Sequence, residues 1–337
     1  MEQKEVKFPK YSMKVDEGIY QITLPTPYPV GPVNLYLIEG EILTLLDVGP
    51  KTEEAWEGLV NGVEEIGYTL DDIKQILITH YHPDHTGILQ RVKRETGARA
   101  LGHPLLGRYL RFNEEFINFR AGFFHQLYKE NGVPEEFFDL VELNEANRRR
   151  FSEPSEIDIV LKNTQTVPGL KDWQVIYTPG HSQDHLSIYR KNDGVFIGGD
   201  HIIENTSTSI SIEPPWDETS KRPQPLIQYR AALEVCANLE ITKIYSGHGN
   251  PIDNHKEIIT KKLESHWQKA MEIFGLIEVD KKTAFDLTKL LYPKKYQKLL
   301  NLTLAQTIGH LDLLLLVQQV NVQKKDGVFY YSKQGPI

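Results

Sequence analysis

Apolar residues near the start of the chain fall into short runs, Ile19 to Leu24, Val33 to Ile38 and Ile42 to Leu46. Turn formers separate them: Pro25, Pro27, Pro29 and Gly31 after the first, Glu39-Gly40-Glu41 after the second. Each run therefore predicts a β-strand. A helical spacing follows from about Thr52 to Ile66 and is closed by Gly67, and a buried strand is predicted over Ile76 to Thr79. Between residues 104 and 150 the pattern becomes helical and aromatic, with Tyr109, Phe112, Phe116, Phe119, Phe123, Phe124 and Tyr128 spaced to form one apolar face. Strand signals return at Ile157 to Leu161, Trp173 to Tyr177, Val195 to Ile197 and Ile244-Tyr245, with a helix over Leu226 to Leu239 before the last. Beyond Pro251 the texture is helical and Lys-rich. Helices are predicted over Thr283 to Leu291 and Thr303 to Gln319, then a hairpin over Val320 to Tyr331 with its turn at Asp326-Gly327.

Two successions of strands, turns and helices predict sheets covered by helices. The 337 residues suit one large domain and a small one. Composition adds a charge asymmetry: residues 256–337 hold 13 Lys against 8 Asp and Glu, a net of +5, which leaves −13 of the total −8 on residues 1–255. An acidic body disfavours a general nucleic-acid groove. The strongest apolar segment, Leu311 to Val317, is far short of the ~20 residues of a membrane span. The charged start Met1 to Lys7 lacks the apolar core of a secretion signal, and the single cysteine, Cys236, supplies neither a disulfide nor a thiolate cluster. The expectation is a cytoplasmic protein that does not enter membranes.

The chemistry concentrates in Thr79-His80-Tyr81-His82-Pro83-Asp84-His85. His80 and His82 alternate along extended chain, so both imidazoles point to one side, and Asp84 and His85 follow past the stiffening Pro83. Two nitrogens for one cation and an oxygen–nitrogen pair for another suit a divalent metal such as zinc. Three further ligand candidates each leave a predicted strand into a turn of small residues: His181 after Thr178-Pro179-Gly180, Asp200 after Gly198-Gly199, and His248 after Ser246-Gly247. Asp47, between Leu46 and Val48-Gly49, is expected to stand behind a ligand and orient it.

In this order, Asp47, the H-x-H-x-D-H cluster, His181, Asp200 and His248 resemble the successive motifs of the metallo-β-lactamase superfamily over roughly residues 15–255. The resemblance implies a mixed α/β fold, the four-layer αββα sandwich, with two metals at one edge between the sheets. It places one ion on His80, His82 and His181 and a second on Asp84, His85 and His248. Asp200 would bridge them, and Asp84 would also serve catalysis. The expected cofactors are two divalent ions, zinc first, with iron or manganese also compatible with the donors. A water shared by two such ions about 3.5–4 Å apart would supply a hydroxide nucleophile, so no serine or cysteine is required.

The remaining candidates have plainer roles. His185 and His201 would overfill a seven-ligand site and are expected behind the ligands or in packing, and His103 in a structural position. His125, His255, His266 and His310 are expected as surface or packing residues. The helical insertion 104–150 either packs on the sandwich or forms a lid, in which case Phe112, Phe116, Phe119 and, from the Pro214-Pro215-Trp216 turn, Trp216 would wall the substrate pocket. The domain expectation is a catalytic unit at 1–255 and a small, mainly helical unit at 256–337. The latter's helix–helix–hairpin order resembles the winged-helix tail of some superfamily members. Its second helix is apolar, with almost no Lys or Arg, which favours a packing or homodimerisation role over nucleic-acid reading.

The leading functional expectation is hydrolysis of a small ester, above all a thioester, as in the glyoxalase-II-like branch (hydroxyacylglutathione hydrolases). Thr79 to Gly87 and Thr178-Pro179-Gly180-His181-Ser182 carry that likeness. The alternatives are an endoribonuclease or phosphodiesterase of the same fold, an acyl-homoserine lactonase, and a mononuclear-iron sulfur dioxygenase. Antibiotic hydrolysis ranks below these because no export signal is read.

Overall fold

The computed structural model describes residues 11–204, 210–217, 220–277 and 281–334. The charged segment Met1 to Lys7, read above for a leader, lies outside the described residues.

The first sheet has seven strands in chain order: β1 (Ser12–Asp16), β2 (Ile19–Leu24), β3 (Val33–Ile38), β4 (Thr44–Leu46), β5 (Gln75–Leu77), β6 (Arg99–Gly102) and β7 (Ile159–Val160). β1 to β4 pair antiparallel and β4 to β7 parallel. The parallel pairs require crossovers. These contain α1 (Glu53–Ile66), then α2 (Pro83–Thr86) and α3 (Leu89–Thr96), then α4 (Leu106–Leu110), α5 (Glu114–Glu130) and α6 (Leu140–Arg150). α1 starts at Thr52, whose side chain accepts from the Ala55 N–H, and ends at Gly67 in the left-handed conformation (φ 98°).

The second sheet runs in the order β12-β11-β10-β9-β8, built from β8 (Thr166–Val167), β9 (Leu170–Tyr177), β10 (Leu186–Arg190), β11 (Val195–Gly199) and β12 (Lys243–Ser246). α7 (Pro225–Ala237) connects β11 to its parallel neighbour β12. The chain continues through α8 (His255–Leu276), α9 (Ala284–Leu291), α10 (Leu300–Leu316) and the antiparallel hairpin β13 (Val320–Lys325) and β14 (Val328–Lys333).

The period of two along each strand sorts side chains into layers. Tyr36, Ile38, Leu46, Leu77 and Leu101 of the first sheet meet Val175, Ile188, Ile197 and Tyr245 of the second in one apolar layer. Their neighbours Leu35, Leu37, Leu45, Ile76 and Ala100 face the opposite way, onto Ala55, Leu59 and Val63 of α1 and Leu89 and Val92 of α3. Ile176, Tyr189, Phe196 and Ile244 turn outward from the second sheet onto α7, α8 and α10. This is the expected four-layer αββα sandwich. Across β2 and β3 the strands match their sequence runs residue for residue. β1, β8 and β10 fall outside the strand runs predicted from the sequence.

The described residues after 255 share their core with the second sheet. Leu304, Ile308 and Leu311 of α10 lie in the same apolar cluster as Leu226 and Leu233 of α7 and Phe196 of β11. Leu127, Tyr128, Val133 and Val141 of the 104–150 insertion join that cluster too. The insertion thus leans on the C-terminal helices: Lys324 Nζ lies 2.7 Å from Glu130 Oε1, and the Phe285 N–H donates to the Asn131 carbonyl at 3.1 Å. α10 is a central buried helix, with every residue from Thr307 to Leu314 buried. No helix among the described residues is long and apolar enough to cross a membrane.

Candidate metal centre

The ligand candidates converge at one edge of the sandwich, where parallel strand ends release them into loops. Thr79 to His82 follow β5, while Asp84 and His85 lie on α2, whose first residue is Pro83. His181 follows β9, Asp200 follows β11 and His248 follows β12. Gly247 is required by this crowding: a Cβ there would stand 2.3 Å from Asp200 Oδ1 and 2.9 Å from His85 Cε1.

His80 Nε2, His82 Nδ1 and His181 Nε2 form a triangle with edges of 2.9, 2.9 and 3.2 Å. Four donors bound about 2.0–2.1 Å from a tetrahedral ion stand about 3.3 Å apart, so this triangle has nearly the shape of one tetrahedral face. On the other side, Asp84 Oδ2 lies 3.3 Å from His248 Nε2 and 4.0 Å from His85 Nε2. Asp200 stands between the two groups. Its Oδ2 is 3.6 Å from both His181 Nε2 and His248 Nε2, and its Oδ1 is 3.4 Å from His85 Nε2.

Three of these atoms lack the partners that buried polar groups require. His85 Nε2, His248 Nε2 and Asp200 Oδ1 are buried without a hydrogen bond. Three carboxylates, Asp47, Asp84 and Asp200, are gathered among histidines in this buried space. Such a donor set fits divalent cations held by nitrogen and oxygen.

The histidine tautomers follow from hydrogen bonds on the far side of each ring. His85 Nδ1–H donates to Asp47 Oδ2 at 2.7 Å, and His248 Nδ1–H donates to the Pro32 carbonyl at 2.7 Å. His80 Nδ1–H donates to Thr79 Oγ1 at 3.0 Å, and that hydroxyl donates to Asp47 Oδ2 at 2.8 Å. Each leaves an Nε2 lone pair facing inward. Asp47 also accepts the Thr79 N–H at 2.8 Å and adopts a left-handed backbone (φ 62°), a conformation costly for a residue with a Cβ.

Electrostatics separates the two groups, and in the second the carboxylates favour positive charge at His85 Nε2, whose proton a bound cation would replace. Burial and the surrounding imidazoles hold His80 well below its ordinary range, and burial with His181 lowers His82 to about 3. Burial acts against a charge on Asp200, yet His85 and His248 outweigh it and keep the carboxylate ionised. Burial likewise opposes a proton on His85, but Asp200, Asp47 and Asp84 together hold its imidazole well above the usual range.

The other histidines fall outside these groups. His185 accepts the Asp200 N–H at 3.0 Å through Nε2, and its Nδ1–H donates to Thr178 Oγ1 at 2.7 Å, so both ring nitrogens are engaged. His201 is buried behind it, 6.1 Å between ring centres, and packs 4.9 Å from the Tyr229 ring. His103 stacks on Tyr177 at 4.8 Å. His255, His266 and His310 are buried, and His125 pairs with Glu142 at 3.0 Å.

A cavity of about 330 Å³ opens beside His82 and Pro83. Its walls come from Tyr28 and Tyr81, from Arg120, Phe124, Leu127 and Tyr128 of α5, from Asn144, Asn147 and Arg148 of α6, from Ile210 to Ile212, and from Asn301, Leu302, Leu304 and Ala305 of α10. Phe112, Phe116, Phe119 and Trp216, the four aromatic residues expected to wall a pocket, do not line this cavity. Phe116 packs edge-on against Tyr109 at 5.1 Å beneath Arg108, with Phe119 6.4 Å away, and Phe112 precedes α5 and lies under the Arg148 guanidinium at 4.6 Å. Trp216 is 59% exposed, on a turn whose carbonyls bind Arg108. The turns of α5 that follow Phe119 face the cavity instead.

Sequence reading also passed over a buried acidic pair. Glu213 accepts the Tyr109 hydroxyl at 2.7 Å and the Gln183 N–H at 3.0 Å, and Asp184 accepts the Ser182 hydroxyl at 2.7 Å. Burial raises Glu213 to about 7 and, with the Glu213 charge, pushes Asp184 well above its ordinary range. The only sequence signal was position, Asp184 between His181 and His185 and Glu213 before Pro214-Pro215.

Comparisons with known proteins agree with this geometry. The family model described as the metallo-beta-lactamase superfamily matches residues 28–248. The Bacillus subtilis protein named probable metallo-hydrolase YqjP is 31% identical over 318 residues, 94% of this chain and 98% of that one. An Aspergillus fumigatus protein named atrochrysone carboxyl ACP thioesterase is 22% identical over 203 residues, 60% of this chain and 46% of that one. A crystal structure of a metallo-beta-lactamase family protein from Thermus thermophilus superposes with a TM-score of 0.79 at 26% identity, covering 95% of this chain and 100% of that one. The fold, the histidine–aspartate centre and these matches together identify the chain as a metallo-hydrolase of the metallo-β-lactamase superfamily.

Proposed function

We propose that this chain hydrolyses a small ester, in first place a thioester, at a two-ion centre. The observation that carries the reading is the placement of the two donor groups, joined by Asp200, beside a partly apolar cavity sized for a small substrate. His80, His82 and His181 would hold one ion, Asp84, His85 and His248 the second, with Asp200 reaching both. Bound divalent ions acidify water and polarise a carbonyl oxygen.

The chain's own residues supply the rest. Asp47 and the Pro32 carbonyl fix the rings of His85 and His248. Asp84 stays ionised because His85 and His248 outweigh the effect of burial. This suits it to hold a cation within the centre. Tyr28 lines the cavity with its hydroxyl buried and unpartnered. Burial and the Asp84 charge keep that phenol protonated at neutral pH, so it would donate a hydrogen bond to the oxygen that gains charge in the transition state. The walls contributed by α5 and α10 would enclose the acyl group and exclude water.

The thioesterase name of the Aspergillus relative supports the choice of substrate bond. The buried setting of α10 speaks against nucleic-acid reading by that helix. The test is hydrolysis of a panel of acyl thioesters, oxygen esters and acyl-homoserine lactones by the zinc-loaded protein, beside single-stranded RNA. Thioester turnover above the other substrates is the expected result. RNA cleavage or lactone opening as the main activity would overturn the proposal, as would a single iron per chain with sulfur-oxidising activity.

A further inference from the structure

The cavity beside His82 has an unusual charge for an acyl pocket. Phe124, Leu127, Ile210, Ile212 and Leu304 make much of its wall apolar, yet Arg120 and Arg148 also line it. No aspartate or glutamate lines it among the described residues. The two guanidinium groups share one carboxylate: Glu145 Oε2 lies 2.6 Å from Arg120 Nη1, and Glu145 Oε1 lies 2.6 Å from Arg148 Nη2. Arg148 is further anchored by donating to the Tyr109 carbonyl at 3.1 Å.

Arg120 is less fully engaged. Its Nη1 is held by Glu145, but its Nε is buried without a hydrogen-bond partner. Glu213, the other carboxyl whose charge reaches Arg120, is already occupied by the Tyr109 hydroxyl and the Gln183 N–H. An unpartnered buried guanidinium N–H costs free energy unless an anion completes it. Part of the Arg120 side chain is exposed and lines the cavity, where an anion can meet the guanidinium.

Resting on the hydrolase reading above, we propose that the cavity receives an acyl group that carries its own carboxylate, bound by Arg120 with Arg148 in support. The substrate class is then the half-thioester or half-ester of a dicarboxylic acid, with its methylene segment against Phe124, Leu127, Ile212 and Leu304. Two arginines against Glu145 leave one positive charge, offset only in part by Glu213, whose carboxyl is raised to about 7, and this suits a monoanionic carboxylate. A phosphate dianion would call for more cations than the wall provides.

The test uses zinc-loaded full-length protein and two sets of probes. The first is a series of N-acetylcysteamine thioesters in matched pairs, succinyl to suberyl against butanoyl to octanoyl, so that only the terminal carboxylate differs. The best carboxylated member should exceed its neutral partner at least about 10-fold in kcat/KM, as a charge-assisted hydrogen bond allows. Arg120→Gln should collapse that ratio toward one, and Arg120→Lys, which keeps the charge but not the fork, should retain part of it. The second set is read by calorimetry: monoamides of the same dicarboxylic acids, the neutral amides of equal length, and amides ending in phosphate. Carboxylated probes that bind more tightly than the neutral ones in an Arg120-dependent way uphold the site even if no thioester is hydrolysed, in which case the hydrolase reading alone falls. A wild-type ratio near one, a carboxylate preference that survives Arg120→Gln and so belongs to the metals, or tighter binding of the phosphate probes would each overturn the proposal.

Discussion

His85 Nδ1 lies 2.7 Å from Asp47 Oδ2, and both residues are completely buried. The contact fixes the His85 tautomer, and through the Thr79 hydroxyl the same carboxylate also steadies His80. Asp47 therefore acts on both donor groups without belonging to either. Asp47→Ala should lower metal affinity about 10–100-fold, the usual cost of losing a carboxylate behind a histidine ligand. Titration of the metal-free variant against a competing chelator measures this, and unchanged affinity would contradict the role.

Tyr28 brings a buried, unpartnered hydroxyl to the cavity. If it stabilises the developing oxyanion, Tyr28→Phe should reduce kcat by about 10²–10³-fold, the cost of removing one such donor, while KM and metal content hold. A rise in KM with kcat unchanged would assign Tyr28 to substrate binding instead.

Gly247 allows β12 and β11 to bring His248 and Asp200 together, with the Gly247 N–H donating to the Gly199 carbonyl at 2.7 Å. In Gly247→Ala the new methyl would press on the Asp200 carboxylate, since a Cβ would sit 2.3 Å from Oδ1. Displacing that group by about 1 Å should cost on the order of 10²-fold in kcat with the fold intact. Steady-state kinetics with a circular-dichroism control tests this; near-normal activity would show that Asp200 has room to move.

Burial raises Glu213 from an ordinary value of 4.5 to about 7. The unfolded chain releases this proton near pH 4.5, whereas the folded chain keeps it until about pH 7. The protonated carboxyl's contribution to stability is therefore fully present below about pH 4.5, declines as pH rises through 7, and is flat above. Glu213→Gln removes that titration. Melting temperatures of wild type and variant, both zinc-loaded, should diverge in favour of the variant between pH 5 and 8. A constant difference would mean that Glu213 is ionised throughout.

Much of this centre was legible in the sequence because its signals are local. Apolar runs bounded by turn formers marked β2 and β3, and His80, His82, Asp84 and His85 lie within six consecutive residues. Three further donor candidates each followed a strand signal into a glycine-containing turn. What could not be read depends on distant segments meeting. The cavity joins α5 to α10, where the Tyr128 hydroxyl meets Asn301, and apolar spacing on α10 says only that the helix is buried. The aromatic residues of the insertion drew attention by size, but Phe116 was taken up by Tyr109 while the Arg120 and Phe124 turns reached the cavity. Glu213 and Asp184 drew no attention in the sequence because the burial of a single acidic residue has no local signature. β10 was masked by the polar motif that precedes it, although all five of its residues are buried.

The central claim, two ions held by the two donor groups and joined by Asp200, is tested most directly by anomalous diffraction from crystals of the zinc-loaded protein. Two peaks about 3.5–4 Å apart are predicted, one bounded by His80, His82 and His181 and the other by Asp84, His85 and His248, with Asp200 between them. A single peak at saturating zinc, with Asp84 and His248 uncoordinated, would contradict the account.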